Sequence, residues 1–374
     1  MQVKPKVLFL IPTLDGGGAE KVLVNLCNSL VGEGWNVSVR TLFPGGVNAK
    51  KLDPAVSLTS MFKRHIPKLH LLFKVFTPEF LYKWLVPEGF DLVVSYLEGV
   101  MTRIVSGAPA GQKTVAWFHV CMYETYINSH FRSLIEFTES CGKFDLLVAV
   151  SEDVRDTTLA LLRGSCQTSF IVLHNINDTD SISLSSKEPV DFCEEDRITA
   201  VVVGKIIKSK GIWRLLKAYE DSDGVLSTRM RVLFVGTGSE EEEFRNKIDE
   251  KGLSDSLFLL GYQDNPYKWI AKSDLLICPS YREGLSTAVT EALLLGIPVI
   301  ATDCGGTREL LGDSQYGFVV DNDEEALLHG LLRISGDDGM RSEYAELARR
   351  RGRAFTRAAV LKENIGALLV VMGK

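Results

Sequence analysis

Short, uninterrupted apolar runs recur along this chain and constrain its fold more than any other feature of the sequence. The first run, residues 7–11, is followed by three glycines, by apolar residues at helical spacing over residues 22–30, and by a second strand that begins at Val37. Strands that are apolar along their whole length are typical of parallel sheets covered by helices on both faces. The opening of the chain therefore predicts a βαβ unit.

The apolar runs form two series. The first continues at residues 92–94, 114–117 and 146–150, and the second passes through residues 199–203, 232–235, 257–259, 275–277 and 298–301. Residues 178–197, between the two series, are rich in Ser, Asp, Glu and Pro, as linkers often are. We therefore predict two doubly wound α/β domains, residues 1–190 and 191–355, and a C-terminal helix in residues 356–374 that can pack back on the first domain.

The composition is that of an ordinary folded protein and excludes several classes. The 374 residues are 45% hydrophobic and 24% charged, which argues against a disordered chain. The formal net charge of −6 argues against a general nucleic-acid binder, because such proteins carry a basic surface. The seven scattered cysteines lack a Cys-x-x-Cys pair, so neither disulfides nor a zinc site are expected, and a reducing cytosol is the simplest location. No apolar stretch approaches the roughly 18 residues of a membrane span.

The most informative stretch, residues 278–298, runs from a predicted strand through a loop into a helix. The helix starts at or just after Ser286 and is closed by Gly296, so that Glu283 lies in the loop and Glu291 about one turn inside the helix. Backbone N–H groups at the helix start suit a phosphate, and the two carboxylates can accept hydrogen bonds from sugar and ribose hydroxyls. The alternative is a surface loop and a glutamate that only complements the helix dipole.

A second segment carries five basic residues and no acidic one: Lys205, Lys208, Lys210, Arg214 and Lys217. Such a cluster favours the binding of an anion, because clustered cations repel one another unless an anion neutralises them. The alternative is a solvated loop.

Three glycines, Gly16, Gly17 and Gly18, follow the first strand, and glycine permits close approach to the backbone. A dinucleotide site would also place glycines here, but its Gly-x-Gly-x-x-Gly pattern requires glycine where Lys21 stands. The second strand continues into Arg40 and offers no acidic residue for a ribose, so NAD is not expected.

Together these motifs resemble the retaining nucleotide-sugar glycosyltransferases of family four, and the resemblance covers nearly the whole chain. It is carried by Gly16-Gly17-Gly18-Ala19-Glu20, Trp117-Phe118-His119, Val150-Ser151-Glu152, Leu173-His174-Asn175, residues 204–211, Val235-Gly236-Thr237-Gly238, Leu260-Gly261-Tyr262, the pair of glutamates, and residues 298–309. The first two motifs resemble those of bacterial capsule, O-antigen and exopolysaccharide members. The resemblance implies the GT-B fold, in which two Rossmann-like domains with doubly wound parallel sheets face an interdomain cleft. It also implies that the N-terminal domain binds the acceptor and the C-terminal domain binds the nucleotide-sugar donor.

The resemblance also implies a role for each charged residue of the donor site. Lys205 and Lys210 neutralise the donor diphosphate, Glu291 holds the ribose hydroxyls, and Glu283 faces the transferred sugar. Most members have arginine where this chain has Lys205, and lysine keeps the charge but lacks the planar fork that grips phosphate with two N–H groups. Further donor contacts are implied for Gly17, Gly18, Tyr262, Gly284, Leu285 and Ser286.

One histidine, His119, stands at the carboxyl end of the predicted strand over residues 114–117. An isolated histidine is more often structural than functional. The resemblance implies that His119 touches the transferred sugar or lies beside the reacting carbon, and that it joins Lys205, Lys210 and Glu283 in the catalytic set.

Residues 63–84 interleave basic and large apolar side chains, which is conspicuous in an acidic protein. The apolar side chains include Phe73, Phe76, Phe80, Tyr82 and Trp84, and the candidate membrane or acceptor contacts are Lys63, Arg64, Lys68 and Lys74. The pattern is typical of a helix in a membrane interface. The alternative is a helix that packs its apolar stripe on the first domain with its lysines in solvent.

Together with the resemblance, these observations predict a retaining hexosyltransferase. It moves a hexose or N-acetylhexosamine from a nucleoside diphosphate sugar, with UDP the expected nucleotide, to a glycan hydroxyl, expected to belong to a lipid-linked saccharide of surface polysaccharide synthesis. The departing diphosphate accepts the proton of the acceptor on the front face of the sugar. We expect no metal, no other cofactor and no nucleic-acid partner, and a cytoplasmic location at the inner face of the cell membrane. The alternatives are a sugar-nucleotide 2-epimerase of the same architecture and a noncatalytic nucleotide-sugar-binding protein.

Overall fold

The computed structural model describes residues 4–191 and 196–374, and these divide into two compact units. The first unit comprises the described residues up to Ile176 together with Ala358–Lys374. The second unit comprises the described part of Asn177–Arg357.

The segment predicted as a linker, residues 178–197, starts with a helix at Thr179–Ser185. The Asn265 side chain donates a hydrogen bond to the Ser185 carbonyl at the end of this helix. The helix thereby joins the second unit, which starts before the boundary that we placed at residue 190. The remainder of the predicted linker includes Cys193, which lies with residues 192–195 outside the described residues.

The first unit is built on a seven-stranded sheet whose neighbouring strands are all parallel. Its strands are β1 (Lys6–Ile11), β2 (Asn36–Thr41), β3 (Ser57–Ser60), β4 (Leu92–Ser95), β5 (Lys113–Phe118), β6 (Leu146–Ala149) and β7 (Phe170–Val172). The order across the sheet is β3-β2-β1-β4-β5-β6-β7, so the direction of winding reverses between β1 and β4. In open sheets of this kind, ligands bind outside the carboxyl ends of the strands at such a reversal.

Helices connect these strands. They are α1 (Gly18–Gly32), α2 (Leu69–Phe73), α3 (Pro78–Leu85), α4 (Val100–Val105), α5 (Glu124–His130), α6 (Leu134–Cys141) and α7 (Glu152–Leu162), with a short 3-10 helix at Val47–Lys51. In the centre of the sheet, Phe9 pairs in register with Val39 of β2 and Val94 of β4, and all three side chains are fully buried. This burial explains why the central strands are apolar along their whole length.

The second unit has a parallel sheet of six strands: β8 (Ile198–Val203), β9 (Met230–Val235), β10 (Leu257–Gly261), β11 (Leu275–Cys278), β12 (Val299–Thr302) and β13 (Phe318–Val320). The order is β10-β9-β8-β11-β12-β13, so this sheet reverses between β8 and β11. Its helices are α8 (Thr179–Ser185), α9 (Ile212–Asp221), α10 (Val225–Arg229), α11 (Glu241–Glu250), α12 (Tyr267–Ala271), α13 (Thr287–Leu295), α14 (Thr307–Leu311), α15 (Glu324–Ser335) and α16 (Asp338–Gly352), with 3-10 helices at Lys208–Lys210 and Arg353–Phe355.

The last helix, α17 (Arg357–Met372), starts at the end of the second unit and from Ala358 onward belongs to the first. Its Asn364 side chain donates a hydrogen bond to the His174 carbonyl, and the Lys374 Nζ lies 3.0 Å from an Asp91 carboxylate oxygen. The C-terminus of the chain is therefore fastened to the first unit.

The prediction of two α/β units with doubly wound parallel sheets is confirmed, and each predicted strand is present. Three strands were not predicted. β3 is a largely exposed edge strand with polar residues, while β7 and β13 have only three residues each, so none of them shows as an apolar run.

Two leucines on helices of the second unit offer a test of this core. Leu331 on α15 is 0% exposed, whereas Leu184 on α8 is 72% exposed. Leu331→Ala should lower the free energy of unfolding by about 2 to 5 kcal/mol, because it removes buried methyl groups and leaves a cavity. The matched change Leu184→Ala should alter it by less than about 0.5 kcal/mol. Urea denaturation measures both, and equal losses would contradict the described burial.

Candidate active site

Two loops of the second unit meet where its sheet reverses direction. One loop follows β8 and ends at Gly211, and the other starts at Pro279, directly after β11. Gly211 has a φ of +73°, and a Cβ on it would lie 1.8 Å from the Pro279 carbonyl oxygen. The Tyr281 N–H also donates a 2.9 Å hydrogen bond to the Ser209 carbonyl. Only glycine permits this approach, which brings the lysine-rich loop against the glutamate loop.

Lys210 and Glu283 form an ion pair across these two loops. The Lys210 Nζ lies 2.7 and 2.8 Å from the two carboxylate oxygens, and the Ser280 hydroxyl donates a 2.7 Å hydrogen bond to Glu283 Oε1. Burial lowers the pKa of Lys210, but the charge and hydrogen bond of Glu283 outweigh burial and raise this pKa above its usual value. Lys210 therefore keeps its positive charge at neutral pH.

Helix α13 starts directly after the glutamate loop, in the turn formed by Gly284, Leu285 and Ser286. The Ser286 side chain caps the helix by accepting a hydrogen bond from a backbone N–H of its first turn. Gly306 packs so closely on this turn that a Cβ there would lie 2.5 Å from the Gly284 carbonyl oxygen. The turn thus holds backbone N–H groups and the positive end of a helix dipole directly after Glu283 in the chain, an arrangement that favours an anion.

The second predicted glutamate, Glu291, lies within α13 and is 1% exposed. Its helix neighbours Val289, Ala292 and Leu293 are also buried. A carboxylate in such surroundings requires hydrogen-bond donors. The role of Glu291 toward a ribose stays a prediction.

The cluster of five cations is divided by the structure, which corrects its interpretation as one anion site. Arg214 is 1% exposed, stacks its guanidinium 3.5 Å from the centre of the Tyr281 ring, and donates a 2.7 Å hydrogen bond to Asn322 Oδ1. The Asn322 side chain in turn donates to the Tyr281 carbonyl. Arg214 therefore supports the glutamate loop through Tyr281 and Asn322, and these contacts lie within the protein.

The other cations differ from one another. Lys217 pairs with Asp221 at 2.8 Å on the surface of α9, whereas Lys205 and Lys208 are exposed on the loop that carries Lys210. Lys205 and Lys210 thus remain the candidates for a diphosphate. Within residues 4–191 and 196–374, no group of three or more His, Cys, Asp or Glu side chains is placed to hold a metal ion.

Tyr262 follows β10, the edge strand of the second sheet, and is 45% exposed. Its hydroxyl donates a 3.1 Å hydrogen bond to Asp264 Oδ1. The sheet order puts two strands, β9 and β8, between Tyr262 and the glutamate loop after β11. Its contact with a nucleobase stays a prediction.

The glycine loop of the first unit follows β1 at the reversal of the first sheet. Gly17 is the N-cap of α1, where Gly18 is the first helical residue. A Cβ on Gly17 would lie 2.0 Å from Glu20 Oε2, so the Glu20 side chain folds over the loop. The glycines therefore leave room for a carboxylate at this strand end, and their contact with donor or acceptor stays a prediction.

His119 follows β5 directly and is 7% exposed, with its ring centre 4.7 Å from that of Tyr96. Burial lowers the pKa of His119 to about 3, so the imidazole is neutral at pH 7. Its Nε2 is buried and has no hydrogen-bond partner among the described residues. An unpartnered acceptor at a strand end is a feature of a ligand site, because a buried polar atom without a partner is costly.

Sequence reasoning missed Glu98, whose Oε2 accepts a 2.8 Å hydrogen bond from the His119 backbone N–H. Glu98 is 4% exposed, and burial raises its pKa to about 7. The available signal was its position three residues after an apolar strand, in a segment with no other charge before Arg103.

Residues 63–84 form two short helices, α2 and α3, instead of one interfacial helix. Phe73 and Tyr82 are buried, which corrects their assignment to a lipid-facing stripe, and the Lys74 Nζ donates a hydrogen bond to a backbone carbonyl. Phe80 and Trp84, in contrast, are 51% and 54% exposed. Across the described part of the chain, no helix combines the length and the apolar character that crossing a bilayer requires.

Two family models match this chain. The model for glycosyl transferases group 1 matches residues 187–351, and the model for glycosyltransferase family 4 matches residues 16–180. The two matches follow the second and the first unit, respectively.

Two relatives come from Campylobacter jejuni. An N-acetylgalactosamine-N,N'-diacetylbacillosaminyl-diphospho-undecaprenol 4-alpha-N-acetylgalactosaminyltransferase is 31% identical over 269 residues, which are 69% of this chain and 71% of the relative. A GalNAc-alpha-(1->4)-GalNAc-alpha-(1->3)-diNAcBac-PP-undecaprenol alpha-1,4-N-acetyl-D-galactosaminyltransferase is 25% identical over 366 residues, which are 96% of each chain.

Solved structures share the fold. Anabaena Alr3699/HepE in complex with UDP-glucose superposes with a TM-score of 0.75 at 18% identity, covering 97% of this chain and 99% of that one. TarM from S. aureus gives a TM-score of 0.76 at 13% identity and covers 99% of this chain and 100% of that one. The two sheets of parallel strands and the solved structures show that the chain has the GT-B fold. The matching family models and the relative with 31% identity show that it belongs to glycosyltransferase family four.

Proposed function

We propose that this glycosyltransferase moves a hexose or N-acetylhexosamine, with retention of configuration, from a nucleoside diphosphate sugar to a hydroxyl of a lipid-linked saccharide in surface polysaccharide synthesis. The observation that carries the proposal is the position of Lys210, a charged lysine held at the reversal of the second sheet beside Glu283. The names of the two Campylobacter relatives support N-acetylgalactosamine as the first sugar to test and a polyprenyl diphosphate saccharide as the acceptor class. UDP is the proposed nucleotide.

The donor diphosphate replaces Glu283 as the partner of Lys210. Lys205, exposed on the same loop, supplies a second positive charge, and the amides at the start of α13 supply neutral donors. Glu283 is then released from its ion pair and turns to a hydroxyl of the transferred sugar. Glu291 accepts a hydrogen bond from a ribose hydroxyl that enters through the preceding loop.

Retention follows from reaction on one face of the sugar. The bond between the anomeric carbon and the diphosphate oxygen breaks, the acceptor oxygen bonds to the same face of that carbon, and the acceptor proton passes to the departing diphosphate. Negative charge grows on the diphosphate in this step, and Lys205 and Lys210 stabilise it. No protein nucleophile and no metal take part in the proposed step.

The acceptor is proposed to be reached at the inner face of the cell membrane through the surface of α2, α3 and the loop before them. Exposed apolar side chains on this surface are Leu71, Leu72, Val75, Phe80 and Trp84, and the exposed cations beside them in the chain are Lys63, Arg64 and Lys68. Apolar side chains next to cations are suited to the interface of an anionic membrane.

One experiment separates the proposal from its alternatives. The purified protein is incubated with radiolabelled UDP-N-acetylgalactosamine, UDP-N-acetylglucosamine, UDP-glucose and UDP-galactose, with and without a bacterial extract of undecaprenyl diphosphate saccharides. Label transferred to lipid, with the anomeric configuration retained by NMR, supports the proposal. An epimerised donor without acceptor supports the 2-epimerase, and binding without turnover supports a noncatalytic protein.

Lys210→Ala should reduce turnover by about a hundredfold to a thousandfold, or about 3 to 4 kcal/mol, because it removes a charge that is needed as the diphosphate departs. The matched control is Lys208→Ala, on the same loop and exposed, which should keep turnover near the wild-type value. Single-turnover kinetics measure both variants, and their melting temperatures verify folding. Near wild-type turnover in Lys210→Ala would remove the basis of the donor assignment.

The two glutamates should respond differently to free nucleotide. Glu291→Gln should weaken UDP and UDP-sugar alike by about tenfold to a hundredfold, since both ligands contain the ribose. Glu283→Gln should leave UDP binding unchanged or strengthen it, because Lys210 loses a competing partner, and should weaken only the sugar-containing donor. Calorimetry with both ligands decides this, and equal losses in the two variants would show that the roles are wrongly divided.

Replacing Lys63, Arg64 and Lys68 with serine should weaken binding to anionic vesicles about a hundredfold, since each cation near such a surface contributes about 1 kcal/mol. Sedimentation with phosphatidylglycerol vesicles at low salt measures this. A control that removes three exposed cations of the second unit, Lys187, Lys251 and Lys272, should bind like wild type. If wild type does not bind these vesicles, or if the triple serine variant binds them as well as the control does, the result would favour an acceptor in solution.

A further inference from the structure

Glu98 carries a buried carboxyl group just past the end of β4, where the first sheet reverses direction. Its Oε2 accepts a 2.8 Å hydrogen bond from the backbone N–H of His119, which directly follows β5. Because β4 and β5 are neighbours, this bond joins two strand ends at the edge of the sheet where ligands bind.

The contacts that the described residues make with this carboxyl group come from backbone N–H groups. The donors are the N–H groups of His119 and of Glu98 itself, and no lysine or arginine among the described residues shifts the pKa of Glu98. An ionised carboxylate has about four acceptor positions, so part of its capacity is unused. A buried carboxylate in this state is costly unless a ligand supplies further donors.

His119 adds a second acceptor next to the first. The Tyr96 backbone acts against burial and raises the pKa of His119, which fits an N–H on Nδ1, and the buried Nε2 has no partner among the described residues. The neutral ring therefore presents the lone pair of Nε2, a buried atom that can only accept a hydrogen bond. The pair of residues offers acceptors and no side-chain donor.

The position of Glu98 is fixed by its neighbour Gly99, which has a φ of +90°. A Cβ on Gly99 would lie 3.0 Å from the His130 ring and 3.2 Å from the Tyr126 hydroxyl, both on α5. The backbone after Glu98 is thus packed against α5. Glu98 itself is 4% exposed.

We propose that Glu98 binds a hydroxyl group of the acceptor sugar, next to His119, which the family resemblance assigns to the transferred sugar. The inference rests on the proposed function, because it assigns the sugar-binding residues of the acceptor. A saccharide fits because it carries several O–H donors close together without charge. A phosphate would bring only further acceptors and negative charge to a place already occupied by Glu98 and approached by Glu20.

The binding depends on pH. Burial raises the pKa of Glu98 to about 7 against its two backbone hydrogen bonds, and Glu20 adds a smaller effect. The titratable groups that face Glu98 from the elements around it are Glu20, Tyr96, His119, Tyr126 and His130. Burial raises the pKa values of both tyrosines and lowers those of both histidines, so these four stay neutral near pH 7. Glu98 therefore gains its charge as the pH rises through about 7. The ionised carboxylate accepts hydrogen bonds more strongly than the neutral acid, so binding of the acceptor sugar should strengthen as the pH rises.

The test is the transfer assay from pH 6 to pH 8.5, with donor saturating and acceptor varied, on wild type, Glu98→Gln and the control Glu33→Gln, an exposed carboxylate of the same unit. At pH 8, Glu98→Gln should lower kcat/KM for the acceptor tenfold to a hundredfold, while KM for the donor stays within about twofold. At pH 6 the variant and wild type should converge. The control should match wild type at every pH, and for both proteins kcat/KM for the acceptor should rise around pH 7.

A second measurement covers the possibility that no transfer is found. Saturation-transfer NMR with methyl α-N-acetylgalactosaminide should detect binding to wild type and to Glu33→Gln at pH 8, and none to a folded Glu98→Gln. If Glu98→Gln does not fold, calorimetry of wild type with this glycoside at pH 7 in two buffers should show proton release. Absence of transfer with any donor would overturn the proposed function. Three results would overturn this inference. They are equal acceptor kinetics in wild type and Glu98→Gln, glycoside binding that changes neither with Glu98→Gln nor with pH, and the absence of glycoside binding to wild type.

Discussion

A parallel sheet that is buried on both faces opens to ligands only at the ends of its strands, and each unit of this chain is built on such a sheet. Each sheet also reverses its winding once, between β1 and β4 or between β8 and β11. The residues of both proposed sites lie at these reversals: Glu98 in the first unit, and Lys210 with Glu283 in the second. The order of the strands thus determines where the residues of the proposed sites lie in each sheet.

The two units handle buried charge in opposite ways. In the second, Lys210 and Glu283 neutralise each other, and the lysine stays charged. In the first, the donors that the described residues offer Glu98 are backbone N–H groups, and burial raises its pKa to about 7. A site with a paired cation is suited to exchange its carboxylate for a phosphate, whereas a site with an isolated carboxyl group is suited to hydroxyl donors. The two kinds of site match the two substrates of the proposed reaction, a charged donor and a sugar.

Much of this arrangement is readable in the sequence. Buried central strands leave apolar runs, so the fold was predicted, and Lys210, Glu283 and Glu291 stand in motifs with distinct spacing that led to their proposal as donor residues. The edge strand β3 was missed because an exposed strand has no apolar signal. Glu98 was missed because a glutamate after a strand is indistinguishable from a solvated one until the packing of α5 is known. The same reason explains Phe73 and Arg214, whose burial is decided by distant residues.

The contact between Gly211 and the Pro279 carbonyl has a consequence for how this site tolerates change. Any side chain at position 211 meets backbone at 1.8 Å, and backbone cannot move aside as a flexible side chain can. The strain must be relieved by parting the two loops, which separates Lys210 from Glu283. A residue without any functional group would therefore score as a catalytic residue in a scan of substitutions, whereas the exposed Lys208 nearby would not.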